Sequence, residues 1–371
     1  MSVFCHTVCK FIKFFQTNGI KIGYFRPRVR FFHYFCTMEN PYIKQFPQLM
    51  AGKKILYVHG FASSGQSGTV SRMRTVMPQA TVIAPDLPLH PQEAIDQLRR
   101  VCQQEQPHLI VGTSMGGMYT EMLRGYDRIM VNPALQMGDT MVSHNMMGAQ
   151  HFQNPRQDGV QDFIVTKALV KEYKEITTHC FEGIDEDERR RVTGLFGDED
   201  TTVDTFDLFH RHYPRAIRFH GEHRMDDRSF MQSVLPVIRW VDDCQEQRSR
   251  PVILVAFESL IDSWGKARGS AQKAYRWLAE TYSLYIVAPS LPNEPAQMGE
   301  VTRWVEQYIN VPAWGRIIFT AHKQLLLGDY LIDPAADSEL GGFMGTHIRL
   351  GDDTFKTWDE VITFFERLGG Q

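Results

Sequence analysis

One serine stands where a nucleophile is expected: Ser114, in the stretch 112–116, which reads G-x-S-x-G. The apolar run 108–111 predicts a strand before it, and residues 115–124 predict a helix after it. A serine on such a tight strand-to-helix turn needs neighbours without side chains two positions away, and the turn lifts its hydroxyl out of the sheet. The pattern therefore predicts a serine nucleophile for acyl transfer, with the backbone N–H of Met115 directed at the developing oxyanion.

The acid of the expected triad is predicted in the turn that follows a strand at 193–196. A serine needs a base, the base needs an acid to orient it, and on this type of sheet the order along the chain is serine, acid, histidine. Asp200, which lies three residues after Gly197 and three before Val203, is the candidate acid. Asp198 in the same turn is the alternative, and the sequence leaves the choice between the two open.

The base is predicted one strand further along, after the apolar run 215–219. Both His220 and His223 follow that strand. His223 ends a G-x-H turn that presents an imidazole above the strand ends, so it is the candidate base, whereas His220 is interpreted as a strand-end residue. Ser114, Asp200 and His223 together form the predicted nucleophilic triad.

A second donor to the oxyanion is expected from the loop after the first strand, which is predicted at 54–58. That loop runs over 59–64, and the backbone N–H of Phe61 is the candidate donor beside that of Met115. His59 precedes the serine in the chain, which is the wrong order for the base, and it is interpreted as shaping the loop. The predicted chemistry requires no cofactor and no metal.

The segments that must position these residues alternate between strands and helices. Strands are predicted at 54–58, 81–84, 108–111, 128–131, 193–196 and 215–219, and helices at 91–102, 115–124 and 229–240. This alternation predicts an α/β fold with a mostly parallel sheet, whose ligand site lies at the carboxyl ends of the strands. Residues 134–191 are predicted to form a small helical cap over those ends, with a helix at 161–176. The methionines of the cap, among them Met137 and Met146, are expected either to line an acyl pocket or to fill the core.

A second, smaller α/β unit is predicted after the polar stretch 244–250, which is interpreted as a linker. Its predicted strands are 252–256, 284–288 and 316–320, and its predicted helices are 271–281 and 298–309. The sequence thus predicts a first domain over 38–243 and a second domain over 251–371.

Residues 1–37 differ from both domains, because they are basic and aromatic and contain no aspartate or glutamate. We interpret them as a tail or as an artefact of the start site, with Met38 as the true start, since the globular pattern begins only after it. The alternatives are a targeting segment or a stretch that lies on an anionic membrane surface.

The composition of the 371 residues excludes several classes of function. The formal net charge of −3 gives no overall basic field for binding nucleic acid. No apolar run approaches the roughly 18 residues of a membrane span, so no stable membrane insertion is expected. None of the six cysteines forms a CxxC pair, and a chain of this size needs no disulfide framework, so a reduced, cytoplasmic setting is expected.

The first predicted domain resembles the YqiA/YcfP-like esterases, which are small bacterial α/β-hydrolases. The resemblance is carried by Y-V-H-G-F-A-S-S at 57–64, A-P-D-L-P at 84–88, V-G-T-S-M-G-G at 111–117, V-N-P at 131–133 and G-E-H at 221–223. It implies an α/β-hydrolase fold and hydrolysis of short acyl esters or acyl-CoA thioesters. The acidic turn over 198–204 is longer than the family's, which bears on the choice between Asp198 and Asp200.

The second predicted domain resembles the haloacid-dehalogenase-like 5′(3′)-deoxyribonucleotidases, which are magnesium-dependent phosphatases. The resemblance is carried by R-I-I-F-T-A-H-K at 316–323 and G-D-Y-L-I-D at 328–333. In that family the first strand ends in two aspartates, one of them the nucleophile, whereas here it ends in V-A-F-E-S at 255–259. An aspartyl intermediate cannot form without the carboxylate, so the domain is expected to be catalytically inactive. Lys323, Asp329 and Asp333 are then interpreted as structural remnants that pair with each other.

Together these features predict a serine hydrolase that cleaves a small-molecule ester or thioester through an acyl-enzyme. One alternative is a protein that works without catalysis and binds a nucleotide or a partner through the degenerate second domain. Another is phosphatase or 5′-nucleotidase activity in that domain, which the missing aspartate disfavours. The complete triad favours the hydrolase over both alternatives.

Overall fold

The fold contains two parallel β-sheets. The computed structural model of the chain describes residues 43–263, 265–290 and 293–369. Both sheets lie in one compact unit, Lys44–Gln371. The predicted tail at 1–37 lies outside the described residues. Among the helices of the described ranges, none is both long and apolar enough to cross a membrane.

The first sheet contains the strands that were predicted for the first domain. In chain order the strands are β1 (Lys54–Val58), β2 (Thr81–Ile83), β3 (Leu109–Thr113), β4 (Arg128–Val131), β5 (Gly148–His151), β6 (Asp162–Val165), β7 (Val192–Gly197) and β8 (Ala216–Phe219). The parallel sheet has the order β2-β1-β3-β4-β7-β8, while β5 and β6 pair antiparallel as a separate hairpin. The carboxyl ends of the parallel strands therefore meet at one edge, where the ligand site was predicted.

The helices that cover this sheet come from the segments between its strands and from the segment that follows β8. They are α1 (Gly68–Val76), α2 (Pro91–Glu105), α3 (Met115–Glu121), α4 (Met137–Ser143), α5 (Lys167–Ile176), α6 (Glu186–Arg191), α7 (Phe206–His210), α8 (Asp227–Ser229) and α9 (Leu235–Gln245), with a π-helical stretch at Phe230–Val234. In α2 the buried residues Ala94, Ile95, Leu98 and Cys102 lie close to helical spacing and form one apolar face. The central strands β1 and β3 are almost entirely buried, as expected for parallel strands between two helical layers.

The cap between β4 and β7 differs from the predicted helix over 161–176. Residues 162–165 form β6, in which exposed and buried residues alternate, and they pair with β5. Helix α5 begins only at Lys167, where the side chain of Thr166 accepts a hydrogen bond from the backbone N–H of Leu169. The predicted helix at 161–176 is therefore wrong for its first residues, because residues 162–165 belong to a β-hairpin that lies between helices α4 and α5. An alternation of only four residues was hidden by the longer helical pattern that follows it.

The second sheet follows α9 and is also parallel. Its strands are β9 (Val252–Ala256), β10 (Ser283–Ala288), β11 (Ile317–Phe319), β12 (Tyr330–Asp333) and β13 (Thr346–Arg349), in the order β11-β10-β9-β12-β13. Its helices are α10 (Phe257–Leu260), α11 (Ala271–Leu278), α12 (Pro295–Tyr308) and α13 (Trp358–Leu368). We refer to residues 44–245 as the first lobe and to residues 252–369 as the second lobe.

The predicted linker at 244–250 overlaps the last turn of α9, which ends at Gln245. The presence of a second parallel α/β layer agrees with the sequence analysis. The exact domain boundaries stay a prediction, since both lobes lie in the same compact unit.

A buried ion pair fixes the start of β4, the strand that ends beside the predicted site. The guanidinium of Arg128 is fully buried, donates to a carboxylate oxygen of Glu188 on α6, and also donates to the backbone oxygens of Thr120 and Glu121 in α3. These contacts join α3, β4 and α6. A buried charge that loses its partner is strongly destabilising, so the pair constrains this part of the fold.

Replacing Glu188 with alanine is expected to lower the free energy of unfolding by about 3–5 kcal/mol, because Arg128 would keep its charge in a buried place without the carboxylate. The matched control is Asp187→Ala on the same helix, which removes an exposed pair with Arg191 and should cost less than about 1 kcal/mol. Urea unfolding followed by circular dichroism measures both changes. Equal losses for the two variants would contradict a special role for the buried pair.

Candidate active site

Ser114 lies on the turn between β3 and α3 in a backbone conformation that few residues adopt. Its φ is 53° and its ψ is −121°, a region in which a residue with a side chain is strained by about 1–3 kcal/mol. Glycine is required on both sides of it. A Cβ on Gly112 would lie 2.1 Å from Oγ1 of Thr120, and a Cβ on Gly116 would lie 2.0 Å from the backbone oxygen of Val58. The G-x-S-x-G pattern thus corresponds to a strained turn at the end of a strand.

Ser114, His223 and Asp200 lie in one hydrogen-bonded row, although they are far apart in the sequence. Nε2 of His223 lies 3.0 Å from Oγ of Ser114, and Nδ1 of the same ring lies 2.8 Å from Oδ2 of Asp200. An ionised carboxylate only accepts hydrogen bonds, so Nδ1 carries the ring proton and donates to Asp200. Nε2 is then left to accept the hydroxyl hydrogen of Ser114. This arrangement suits proton transfer from the serine to the histidine.

Asp200 is held in its ionised form by the turn in which it lies. Burial alone would raise the pKa of this carboxyl, of which 3% is exposed. The hydrogen bond from His223 and those from the backbone N–H groups of Thr202 and Val203 outweigh burial, and the pKa of Asp200 lies below its ordinary value. The carboxylate therefore stays charged at neutral pH, and its charge can stabilise a protonated His223.

Asp198, the alternative acid, contacts the other histidine. Its Oδ2 lies 2.6 Å from Nδ1 of His220, and its Oδ1 accepts a hydrogen bond from the backbone N–H of Gly221. Nε2 of His220 lies 3.0 Å from the backbone oxygen of Gln307 on α12. The structure thus brings Asp200 to His223, and it places the pair of Asp198 and His220 at the contact between the two lobes.

Asn132 is a residue of the site to which the sequence analysis assigned no role, although it lies in the V-N-P motif at 131–133. It follows β4 with a φ of 45°, and its side-chain NH₂ donates to the backbone oxygens of Glu222 and His223 at 3.0 and 3.2 Å. Its Oδ1 accepts a hydrogen bond from the backbone N–H of Gly197 at 2.7 Å. One side chain therefore fixes both the loop that carries His223 and the start of the loop that carries Asp200. The available signal was an asparagine at a strand end, since asparagine tolerates positive φ.

The two predicted oxyanion donors lie beside Ser114. Met115 is the first residue of α3, so its backbone N–H has no acceptor within the helix. Phe61 lies in the loop after β1, and the preceding Gly60 packs so closely that a Cβ there would lie 3.3 Å from Cβ of Ser114. Phe61 and Ser114 line the same cavity. The role of the two N–H groups in catalysis stays a prediction.

His59 stabilises the loop that carries Phe61 through two hydrogen bonds of its ring. Its ring is buried and accepts a hydrogen bond at Nε2 from the backbone N–H of Leu87, at 3.1 Å. Nδ1 therefore carries the proton and donates to the backbone oxygen of Gly60 at 2.9 Å. Burial lowers the pKa of His59, so the ring stays neutral in this position.

A cavity of about 650 Å³ opens beside Ser114 and His223. Of the cap methionines, Met137 and Met146 line this cavity, whereas Met141 is fully buried in the core. Core filling is confirmed for Met141 and also for Met137, which is almost fully buried, whereas an acyl pocket stays a prediction. Thioether side chains adapt to flexible chains, so this wall suits an acyl group.

The corresponding edge of the second sheet does not fit a magnesium phosphatase site. Strand β9 ends at Ala256, and Nζ of Lys323 lies 2.5 Å from Oδ2 of the buried Asp333. Oδ2 of Asp329 accepts a hydrogen bond from the backbone N–H of Val252, so Asp329 does not pair with the other two as expected. Magnesium prefers several hard oxygen ligands, and within the described ranges no three histidine, cysteine, aspartate or glutamate side chains are placed to hold a metal ion.

Comparison with known proteins relates the two lobes to two different groups. The family described as "Uncharacterised protein family (UPF0227)" matches residues 54–237. Over 99 residues the chain is 35% identical to a protein of Vibrio phage KVP40 that is named as a candidate 5′(3′)-deoxyribonucleotidase. That match covers 27% of this chain and 58% of the phage protein, so the chain spans less than two thirds of its relative. It supports the resemblance of the second lobe to the nucleotidase-type proteins.

Solved structures of low sequence identity resemble part of the chain. A thioesterase domain from the curacin biosynthetic pathway is 16% identical, and the match covers 53% of this chain and 92% of that domain with a TM-score of 0.32. The match to a structure reported for the metagenome-derived lipolytic enzymes LipS and LipT has 16% identity. It covers 56% of this chain and 99% of that one, with a TM-score of 0.35. The strand order and the turn at Ser114, rather than these likenesses, define the α/β-hydrolase architecture.

The contact of His220 with Asp198 predicts a pH dependence of stability. Burial alone lowers the pKa of His220, but its hydrogen bonds to Asp198 and to the backbone oxygen of Gln307 outweigh burial and raise the pKa above 6.5. The protonated ring donates through both nitrogens, so this stabilisation is complete below about pH 6.5 and is lost as the pH rises through the raised pKa. We therefore expect His220→Gln to lower the melting temperature more at about pH 5.5 than at about pH 8.5.

Thermal unfolding of wild type and variant in the same buffers measures this difference. Asp198→Asn serves as the second arm, because it removes the other member of the pair and should show the same trend. A loss of melting temperature that is the same at both pH values would contradict the account of His220.

Proposed function

Residues 54–237 of this chain belong to the uncharacterised protein family UPF0227, and from that premise we propose that the chain is a serine hydrolase that cleaves carboxylic esters or thioesters. The observation that carries the proposal is the row of Ser114, His223 and Asp200, joined by hydrogen bonds of 3.0 and 2.8 Å. The row borders a cavity of a size that accommodates a small-molecule substrate.

In the first half of the reaction, Oγ of Ser114 attacks the carbonyl carbon while Nε2 of His223 takes the hydroxyl proton. The electron pair of the C=O bond moves to its oxygen, and the backbone N–H groups of Phe61 and Met115 stabilise that oxyanion. As the tetrahedral intermediate collapses, His223 gives the proton to the departing alcohol or thiol. An acyl group then remains bonded to the serine.

In the second half, water attacks the acyl carbon while His223 takes one of its protons. The second tetrahedral intermediate expels Oγ of Ser114, which receives that proton, and the carboxylic acid leaves. Asp200 keeps Nδ1 of His223 protonated throughout and stabilises the imidazolium that forms in each half. Asn132 acts as a positioning residue, because it binds the backbone of the two loops that carry His223 and Asp200.

Phosphatase chemistry in the second lobe is the less favoured candidate. The nucleophile of that reaction is a carboxylate at the end of the first strand, and β9 ends at Ala256. The carboxylate of Asp333 is paired with Lys323 and also accepts a hydrogen bond from the backbone N–H of Ala335. We propose that the second lobe is catalytically inactive and that hydrolysis occurs in the first lobe alone.

Labelling with a fluorophosphonate tests the proposal, because the probe reacts with a serine that a base has activated. Wild-type protein is expected to be labelled at Ser114 and to hydrolyse p-nitrophenyl butyrate. Ser114→Ala should lose the label and lower kcat by about 10⁴-fold or more. Asp200→Asn should lower kcat by about 10⁴-fold, whereas Asp198→Asn, the matched control two residues away, should change it by less than about threefold because its partly exposed pair lies outside the row.

Mass spectrometry locates the label, release of p-nitrophenol gives kcat, and circular dichroism shows that each variant is folded. Folded wild-type protein that neither reacts with the probe nor hydrolyses the ester would overturn the proposed function. An effect of Asp198→Asn as large as that of Asp200→Asn would overturn the assignment of the acid.

A further inference from the structure

The cavity beside Ser114 has a second polar wall, formed by the amino terminus of α1. The first backbone N–H groups of this helix, beginning at Gly68, have no acceptor within the helix. The side chain of Ser67, which precedes the helix, does not cap them. A helix amino terminus carries a partial positive charge and attracts anions. This wall therefore presents donors that are not satisfied by the helix itself.

Two side-chain atoms at the same wall are buried and have no hydrogen-bond partner in the described part of the chain. They are Oγ of Ser67, a residue with 6% exposure, and Nη1 of Arg72. A polar group that is buried and unpaired destabilises the fold. Two such groups on one cavity wall therefore point to a ligand that supplies their partner. Both residues line the cavity that contains Ser114.

The charges around the cavity favour an anion as that ligand. Arg72 and Arg224 line it, and none of the lining residues within the described ranges is aspartate or glutamate. Nε of Arg72 contacts Asp227 at 2.5 Å, but this contact leaves Nη1 of the guanidinium unpaired. A carboxylate or a phosphate has enough acceptor oxygens to bind Nη1, the hydroxyl of Ser67 and the helix N–H groups together.

The anion position lies close to the nucleophile. The hydroxyl of Tyr57 is 2.9 Å from Oγ1 of Thr113, the residue before Ser114. The side chains of Ser67 and Thr69 lie beside the same tyrosine hydroxyl. The start of α1 and Ser114 therefore border the same cavity, and Tyr57 lies between them.

We propose that the amino terminus of α1, with Ser67 and Arg72, is a subsite for a negatively charged group of the substrate. The preferred substrates are then short acyl esters or thioesters that carry a carboxylate or a phosphate group at the end remote from the reacting carbonyl. Binding of that group orients the carbonyl over Ser114, which raises kcat/KM for the charged substrate. This inference rests on the proposed function, because the subsite is defined relative to the catalytic serine.

Two p-nitrophenyl esters that differ at one end of the acyl chain test the subsite. The valerate ester is neutral, and the mono-glutarate ester has a carboxylate in place of the terminal methyl group. After subtraction of the uncatalysed rate, wild-type protein should favour the glutarate ester in kcat/KM by about tenfold or more. Arg72→Gln should reduce this preference by about tenfold, and Ser67→Ala by about threefold. The 4-phosphonobutyrate ester in the same assay distinguishes a phosphate subsite from a carboxylate subsite.

Arg74→Gln is the matched control, since Arg74 is an exposed arginine on the same helix that does not line the cavity. Its preference for the glutarate ester should equal that of wild type. The preference is a ratio of two rates from one sample, so partial unfolding or a damaged triad lowers both rates and leaves the ratio unchanged. Inorganic phosphate gives an independent readout on wild-type protein, because it should compete with both charged esters.

The outcomes separate the subsite from the hydrolase. Equal kcat/KM values for the two esters in wild type, with no competition by inorganic phosphate, would overturn the subsite and leave the hydrolase standing. An equal decrease in kcat/KM for both esters in Arg72→Gln would also overturn the subsite. Arg72 would then act by holding Asp227 and the loop after His223. Failure of wild type to hydrolyse any of the esters would overturn both the subsite and the proposed function.

Discussion

The close approach of two backbones at Gly116 is the contact on which the arrangement of the site depends. Helix α3 starts so near the end of β1 that a Cβ on this residue would overlap the backbone oxygen of Val58. The approach brings the first N–H of α3 and the loop that carries Phe61 to the same place. Because Ser114 lies between the strand and that helix, its hydroxyl and both candidate oxyanion donors are positioned by a single packing contact.

The positions of His223 and Asp200 depend on the parallel arrangement of the strands and on the side-chain amide of Asn132. Strands β3, β7 and β8 end at the same edge, so residues 109 positions apart in the chain come within hydrogen-bond distance of each other. Asn132, which follows β4, forms hydrogen bonds to the backbones of the loops that carry His223 and Asp200. The second lobe contributes none of the described residues that line the cavity, and its contact through His220 lies elsewhere.

The sequence was most informative where the constraint is local. The nucleophile turn was predictable because its strand, glycines and helix are neighbours in the chain, and the parallel sheet was predictable from the alternation of strands and helices. The choice between Asp198 and Asp200 was not predictable, because both lie in one acidic turn and differ only in which histidine they contact in space. The hairpin of the cap was missed since four alternating residues give a weak signal beside a long helical one. The unpaired groups at the start of α1 required knowledge of burial, which no local pattern contains.

The most direct test of the account is a crystal structure of the protein after reaction with a fluorophosphonate. We expect the phosphorus to be bonded to Oγ of Ser114, with the phosphonyl oxygen within about 3.1 Å of the backbone nitrogens of Phe61 and Met115. Nε2 of His223 should remain within hydrogen-bond distance of Oγ. A phosphonyl oxygen that points away from both nitrogens, or an adduct on a different residue, would contradict the claim that these groups meet to form one acyl-transfer site.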